Sequence, residues 1–193
     1  KKHLLKINDR PILSYLIERI NFEFKHEIAS GKVIPAIITS NAPGNEKFNI
    51  LKDDARVFFG SDNNIPLRKQ QACAEFELTS LISVDGDDIL CSTQGMRSVY
   101  EKLKQKKEYV ATRNLPLGMN VSGFQSEFIS NSLINFENHN LETGWGRIFN
   151  KNSITNIDFP KIKINDKLRF TLDYEEDFIF FKRVIKFLHA KIR

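Results

Sequence analysis

Apolar positions along the chain alternate between short unbroken runs and faces repeating at helical spacing. Ile12, Leu13, Leu16, Ile17 and Ile20 form one such face behind a turn at Asn8 and Asp9, and Pro11 suits the first turn of a helix. A strand is predicted over 32–40, carrying Ile34, Ala36, Ile37 and Ile38 and ending at Thr39, Ser40, Asn41 and a Pro43-Gly44 turn. A short strand over 56–59 closes at Gly60, a polar loop follows, and 67–76 reads as a helix. Ser92 can cap a helix through about residue 106 with Met96, Val99, Tyr100 and Leu103 on its buried face. Strands at 109–112 and 121–125, a helix capped by Ser126, and strands at 154–159 and 168–172 come next. An amphipathic helix with Phe178, Phe181, Val184, Ile185 and Leu188 ends the chain. Strand and helix patterns that alternate in this way predict an α/β fold: three layers, with a mostly parallel mixed sheet and helices on both faces.

The sharpest feature is the run 81–91, where Leu81 to Val84 lead straight into Asp85, Gly86, Asp87 and Asp88. A buried strand that ends abruptly in acids delivers them to the carboxyl edge of a sheet, where open α/β folds bind ligands. Three carboxylates in four residues repel one another unless a cation or basic groups lie between them. Mg²⁺ is such a cation, since it takes one or two carboxylates together with phosphate oxygens. The plainer reading is an acidic surface turn.

Composition narrows the classes. The length, 193 residues with 41% hydrophobic and 27% charged, suits one globular domain spanning 1–193. No run of about eighteen apolar residues occurs, which argues against a membrane span. Cys73 and Cys91 lack metal-type spacing and read as buried free thiols of a reducing cytoplasm. The net charge of +5 gathers at Lys102, Lys104, Lys106 and Lys107 and at Lys182, Arg183, Lys186, Lys191 and Arg193. Without interleaved aromatics these read as solvated helix faces rather than a nucleic-acid surface. The four histidines show no triad or metal spacing.

Five segments in order carry a resemblance. They are Lys-x-Leu-Leu-x-Ile-x-x-x-Pro-Ile-Leu-x-x-x-Ile-Glu-Arg-Ile from Lys2, Ile-Ile-Thr-Ser-Asn to Asn41, and Phe-Phe-Gly-Ser-Asp-x-x-x-Pro-Leu-Arg to Arg68. Val-Asp-Gly-Asp-Asp-Ile-Leu from Val84 and Leu-Arg-Phe-Thr-Leu-Asp-Tyr-Glu-Glu-Asp from Leu168 complete the set. Together they resemble the cytidylyltransferases that make CMP-sugar acids of sialic acid or Kdo type, and the related spore-coat polysaccharide synthesis proteins. The resemblance spans nearly the whole chain and implies a Rossmann-like, nucleotide-diphospho-sugar transferase fold. It departs in two places. Relatives begin with a central strand and a basic phosphate loop ending Leu-Pro-x-Lys, whereas this chain starts at the loop's last residues and Lys2 matches its lysine. An N-terminal strand and loop upstream of Lys1 is therefore expected in the natural protein. The region 114–149 matches loosely, which leaves the acceptor open.

The resemblance implies an enzyme that joins CTP to a sugar-acid acceptor, with Mg²⁺ as cofactor, in the cytoplasm, for surface polysaccharide synthesis. It implies no nucleic acid or membrane partner and allows a homodimer. Asp87 matches the metal-binding, catalytic acid and Asp173 the second metal acid, although Asp173 with Glu176 also reads as a capping box of the last helix. Lys2 would contact the triphosphate, Arg68 matches an arginine near the nucleotide, and Ser40 and Asn41 would reach the base. Arg68 as a salt-bridging helix residue and Ser40 and Asn41 as caps are the plainer alternatives. Chemistry alone nominates Arg147, near Trp145, for a sugar carboxylate, because arginine binds carboxylates bidentately. Two rival readings stay open: a glycosyltransferase using Asp85-Gly86-Asp87 as its Asp-x-Asp metal motif, and a non-catalytic nucleotide-binding remnant.

Overall fold

The computed structural model describes residues 1–160 and 168–191. Arg193 and the side chain of Lys191, two of the basic C-terminal group, lie outside the described residues. Asn8 and Asp9 both take positive φ, 50° and 62°, the conformation a two-residue hairpin demands. They join β1 (Lys6–Ile7) to β2 (Arg10–Pro11) in an antiparallel pair. Pro11 has no N–H to satisfy, and α1 (Ile12–Glu23) starts directly after it. A short α2 (Lys25–Ala29) leads to β3 (Ala36–Ser40), which pairs in parallel with β4 (Arg56–Gly60), Ala36 opposite Arg56 and Ser40 opposite Gly60. Between β4 and α3 (Ile65–Glu75), buried Asn64 accepts from the Leu67 amide at 2.9 Å and supplies the N-cap.

The remaining elements are β5 (Ser80–Ser83), α4 (Thr93–Lys104), β6 (Tyr109–Arg113), β7 (Ser122–Gln125), α5 (Ser126–Leu133), β8 (Ile154–Asp158) and α6 (Glu175–Lys191). Four strands form a mixed sheet in the order β5-β7-β6-β8, with β7 antiparallel to both neighbours and β6 parallel to β8. Adjacent residues of each strand serve opposite faces. Ile82 and Val110 face the core shared with α1 and α4, while Leu81, Tyr109 and Phe124 face Cys73 of α3 and Ile129 and Leu133 of α5. The second core stacks Tyr109 on Phe124 with ring centres 4.5 Å apart, and Phe149 closes on both. Fully burying a ring such as Phe124 contributes about 2–3 kcal/mol. Gly123 has no side chain because α4 lies against it: a Cβ there would fall 2.4 Å from Val99 Cγ1. A third cluster joins the two ends of the chain, with Ile7, Ile12 and Tyr15 packed on Leu172, Phe181 and Ile185.

Three local expectations are corrected. The segment 168–172 forms no strand; Arg169 makes one isolated bridge to Leu117, and the amides of Phe170 and Leu172 donate to Leu117 and Asp87. Its apolar alternation serves packing against α6 rather than a ladder. Ser126 is the first residue of α5, not its cap, and its preceding N-cap residue Gln125 offers no side-chain cap bond. The first turn of α6 is capped by Asp177, not Glu176: its carboxylate accepts from the amides of Asp173 and Tyr174 at 2.8 and 2.9 Å. Ser92 does cap α4, accepting from Gly95 N at 3.0 Å.

Candidate active site

Val84 carries β5 out of the sheet into a tight turn, in which the Asp88 amide donates to Asp85 O and the Cys91 amide to Asp88 O. Ile89 and Cys91 are fully buried, so this acidic loop is pinned on one side by the core. On the other side the Leu172 amide donates to Asp87 O at 2.9 Å, which sets Asp173 next to Asp87. The Lys2 ammonium lies between the two acids, 2.7 Å from Asp87 Oδ2 and 2.9 Å from Asp173 Oδ1. Arg169 in turn pairs with Asp173 and, at 3.4 Å, with Asp177. The N-terminus, the β5 loop and the segment before α6 thus converge on one point.

Charge explains the protonation states. Burial acts to lower the Lys2 pKa, but hydrogen bonds and charge from Asp87 and Asp173 outweigh it and hold the ammonium above its ordinary value. Bonding to Lys2, then to Arg169, holds the Asp173 carboxyl below its usual range. Asp88 is pushed the other way, to about 7, by burial first and then by its acidic neighbours, with a hydrogen bond to Thr171 in partial opposition. His3, half-buried against Gly86, is lowered by burial. Partly exposed ion pairs of this kind stabilise a fold by only about 1 kcal/mol or less, so the cluster is poorly explained as a structural staple.

Could the two carboxylates hold Mg²⁺? Contacts of 2.7 and 2.9 Å to one nitrogen keep their oxygens within roughly 6 Å, a span that Mg–O bonds of ~2.1 Å cover after a small closure. Among the described residues no third His, Cys, Asp or Glu completes a metal cluster. Two hard oxygen donors with open positions suit an ion that brings phosphate ligands and water with it. The residues fit Mg²⁺ in that form, with a cation, the Lys2 ammonium, already between them.

The other nominated residues make none of these bonds. Ser40 ends β3, where Asn45 donates to its Oγ at 2.8 Å and to its carbonyl at 2.9 Å. Asn41 is exposed, and its amide donates to Gly60 O. Arg68 donates to the carbonyls of Ser61 and Asp62 and pairs with Glu142, so its guanidinium holds the loop before α3. Arg147 is exposed and donates to Asn140 O at 3.1 Å. Trp145 is a platform for an ammonium: Lys69 Nζ lies 3.7 Å from its ring centre.

Sequence reasoning missed Lys69 and Arg169. Arg169 was visible inside the quoted Leu-Arg-Phe-Thr-Leu-Asp segment, four residues before Asp173. Nothing in the pattern of α3 marks Lys69 as buried. Its Nζ has no hydrogen-bond partner, and burial lowers its pKa to about 8. Unfolded, the ammonium keeps its proton to about 10.5, so stability should rise as pH climbs from 8 toward that value. Lys69→Met should stabilise the chain by about 1–2 kcal/mol at pH 7, the burial cost less the lost ring attraction. Urea unfolding across pH 7 to 10 checks both, and a variant that retains the alkaline rise would show that another group titrates.

No family model matches the chain, and no curated protein does. Solved structures do. A cytidylyltransferase from Leptospira borgpetersenii serovar Hardjo-bovis superposes with a TM-score of 0.78 at 20% identity, over 96% of this chain and 80% of that one. The 2-C-methyl-D-erythritol 4-phosphate cytidylyltransferase from Thermus thermophilus gives 0.61 at 12% identity, over 96% and 94%. A CMP:2-keto-3-deoxy-manno-octonic acid synthetase complexed with CTP gives 0.59 at 8% identity, over 98% and 92%. The chain has the fold shared by these cytidylyltransferases.

Proposed function

We propose that the protein is a Mg²⁺-dependent cytidylyltransferase that joins CTP to a sugar acid or a similar acceptor, giving a CMP-sugar and pyrophosphate. The observation that carries this reading is the meeting of Lys2, Asp87 and Asp173 at the carboxyl edge of the sheet. Nucleotidyl transfer asks little covalent work of a protein: an acceptor oxygen attacks the α-phosphorus, the bond to pyrophosphate breaks, and the site orients groups and offsets charge. Asp87 and Asp173 would hold the ion, which supplies positive charge to the triphosphate oxygens. Lys2 would exchange its carboxylate partners for phosphate oxygens, a move its stem allows because the side chain is 36% exposed. Asp85 is exposed at the rim of the cavity beside β5, where its charge acts on Lys69, and it does not share Lys2.

Cytidine is favoured because one fold relative is described as complexed with CTP and others as cytidylyltransferases. The sugar-acid acceptor, a role in surface polysaccharide synthesis, a homodimer and a cytoplasmic setting belong to the same reading. Calorimetric titration with each of the four ribonucleoside triphosphates and Mg²⁺ tests the base; CTP should bind at least about tenfold tighter, a difference of ~1.4 kcal/mol. Pyrophosphate release with a panel of sugar acids tests the acceptor. Equal or purine-favoured binding would overturn the cytidine assignment.

A further inference from the structure

The two carboxylate oxygens of Asp173 are held by different cations. Lys2, which also bonds Asp87, donates to Oδ1 at 2.9 Å, and Arg169 donates to Oδ2. Arg169 is fixed from three further directions. Its Nη2 lies 3.4 Å from Asp177 Oδ2, its guanidinium carbon lies 5.0 Å from the centre of the Tyr174 ring, and its backbone bridges to Leu117. Asp177 Oδ2 accepts in turn from the amides of Asp173 and Tyr174. Arg169, Asp173 and Asp177 thus form a closed brace at the start of α6. Stability does not account for the arginine. Its ion pairs are partly exposed and contribute little. Among the described residues its buried Nε finds no acceptor, which costs at least as much as those pairs return.

We propose that Arg169 is a positioning residue that restricts Asp173 to a one-oxygen metal ligand and so fits the site to Mg²⁺ in preference to Ca²⁺. The inference rests on the reading above, in which Asp87 and Asp173 hold the ion. When Lys2 turns to phosphate, Oδ1 becomes free on the side shared with Asp87. Oδ2 stays committed, because a guanidinium does not give up its proton and this one is braced by Asp177 and Tyr174. A single carboxylate oxygen suits Mg²⁺, whose small octahedral shell closes at ~2.1 Å and is completed by water and phosphate. Ca²⁺ takes about six to eight oxygens at longer range and gains from carboxylates that offer both of theirs. Occupying Oδ2 removes that gain while leaving the Mg²⁺ shell untouched. Charge at Oδ2 is the essential property, so a lysine at 169 should preserve much of the effect.

Competition for bound Mn²⁺ decides the matter. Mn²⁺ on the protein without nucleotide is followed by electron paramagnetic resonance and displaced by Mg²⁺ or by Ca²⁺, in the unaltered chain, Arg169→Met, Arg169→Lys and Asp87→Ala. The preference for Mg²⁺ over Ca²⁺ should fall about tenfold in Arg169→Met, the loss typical when a group orienting a metal ligand is removed. Arg169→Lys should keep the preference to within about threefold, since it restores the charge that holds Oδ2. A merely structural arginine would weaken both ions alike, and an unchanged ratio in Arg169→Met would overturn the inference. So would an unchanged ratio accompanied by a raised KM for CTP or acceptor, which would make Arg169 an anion-binding group. Should Arg169→Met fail to fold in a thermal melt, Arg169→Gln, with a neutral polar head, is read in the same way. Asp87→Ala separates the inference from the reading beneath it. Equal Mn²⁺ binding by that variant and the unaltered chain would remove the metal site and the inference together, whereas Mn²⁺ binding lost there beside an unchanged ratio in Arg169→Met would overturn the inference alone.

Discussion

Asp87→Ala should lower pyrophosphate-forming turnover by about 10²–10³-fold, since charge stabilisation of that size is what one well-placed polar group contributes at a reacting centre. The fold should survive. Asp87 holds its neighbours through the backbone, where its carbonyl accepts from Leu172, and alanine retains that bond. Its carboxylate contributes only a partly exposed ion pair to stability, on the order of 1 kcal/mol or less. Asp85→Ala is the control: an exposed acid two residues away that makes no bond to Lys2 should change turnover by less than about tenfold. Turnover measured beside a thermal melt separates the outcomes. If Asp87→Ala unfolds, the carboxylate is structural; if both variants lose activity equally, the paired Asp-x-Asp arrangement regains its standing.

Gly118→Ala should destabilise the protein by about 3 kcal/mol or more, combining a left-handed backbone penalty with a clash. Gly118 has φ +85°, and an added Cβ would fall 2.4 Å from the carbonyl carbon and oxygen of Phe170. These obstructing atoms are backbone, in the segment that donates from Phe170 N to Leu117 O and goes on to place Asp173. Moving that segment aside withdraws Asp173 from Lys2, so turnover should fall with stability. Gly44→Ala provides the comparison, with φ +86° but nothing within 4 Å of the added carbon. It should cost only the backbone term of about 1–2 kcal/mol. Urea unfolding of both variants isolates the clash, and equal losses would show that 170 yields freely.

Much of the frame was legible because it depends on short-range periodicity. The face Ile12, Leu16 and Ile20 predicts α1, and Leu81 to Val84 before the acids predicts β5 and the edge it leaves. The antiparallel run of β7 between β5 and β6 was not legible, since hydrophobic spacing carries no direction. The cap of α6 shows how one residue matters. A helix starting at Glu175 has Tyr174 as its N-cap, so the acid in position to reach back is Asp177 rather than Glu176. That shift frees the Asp173 carboxylate for Lys2. The nearness of Lys2 to Asp87 and Asp173 came only through resemblance, because partners 85 and 171 residues away leave no local trace. Lys69 was invisible for a related reason: its burial is made by Trp145 and Phe124 from distant parts of the chain.

The third hydrophobic cluster has a consequence for how the protein acquires and loses competence. It ties Ile7, Ile12 and Tyr15 to Leu172, Phe181 and Ile185, so the site forms only when these two distant stretches of chain meet. Closing so long a loop costs only modestly more entropy than closing a shorter one, about 0.6 kcal/mol per doubling of length. The contact is nevertheless remote in sequence, so it belongs to late, slow steps of folding rather than early ones. A brief detachment of α6 would remove Asp173 from the site while the β5-β7-β6-β8 sheet stays intact. Inactivation by mild heat or by a protease cutting ahead of α6 should therefore precede loss of the circular-dichroism signal, leaving a folded body with a disassembled site.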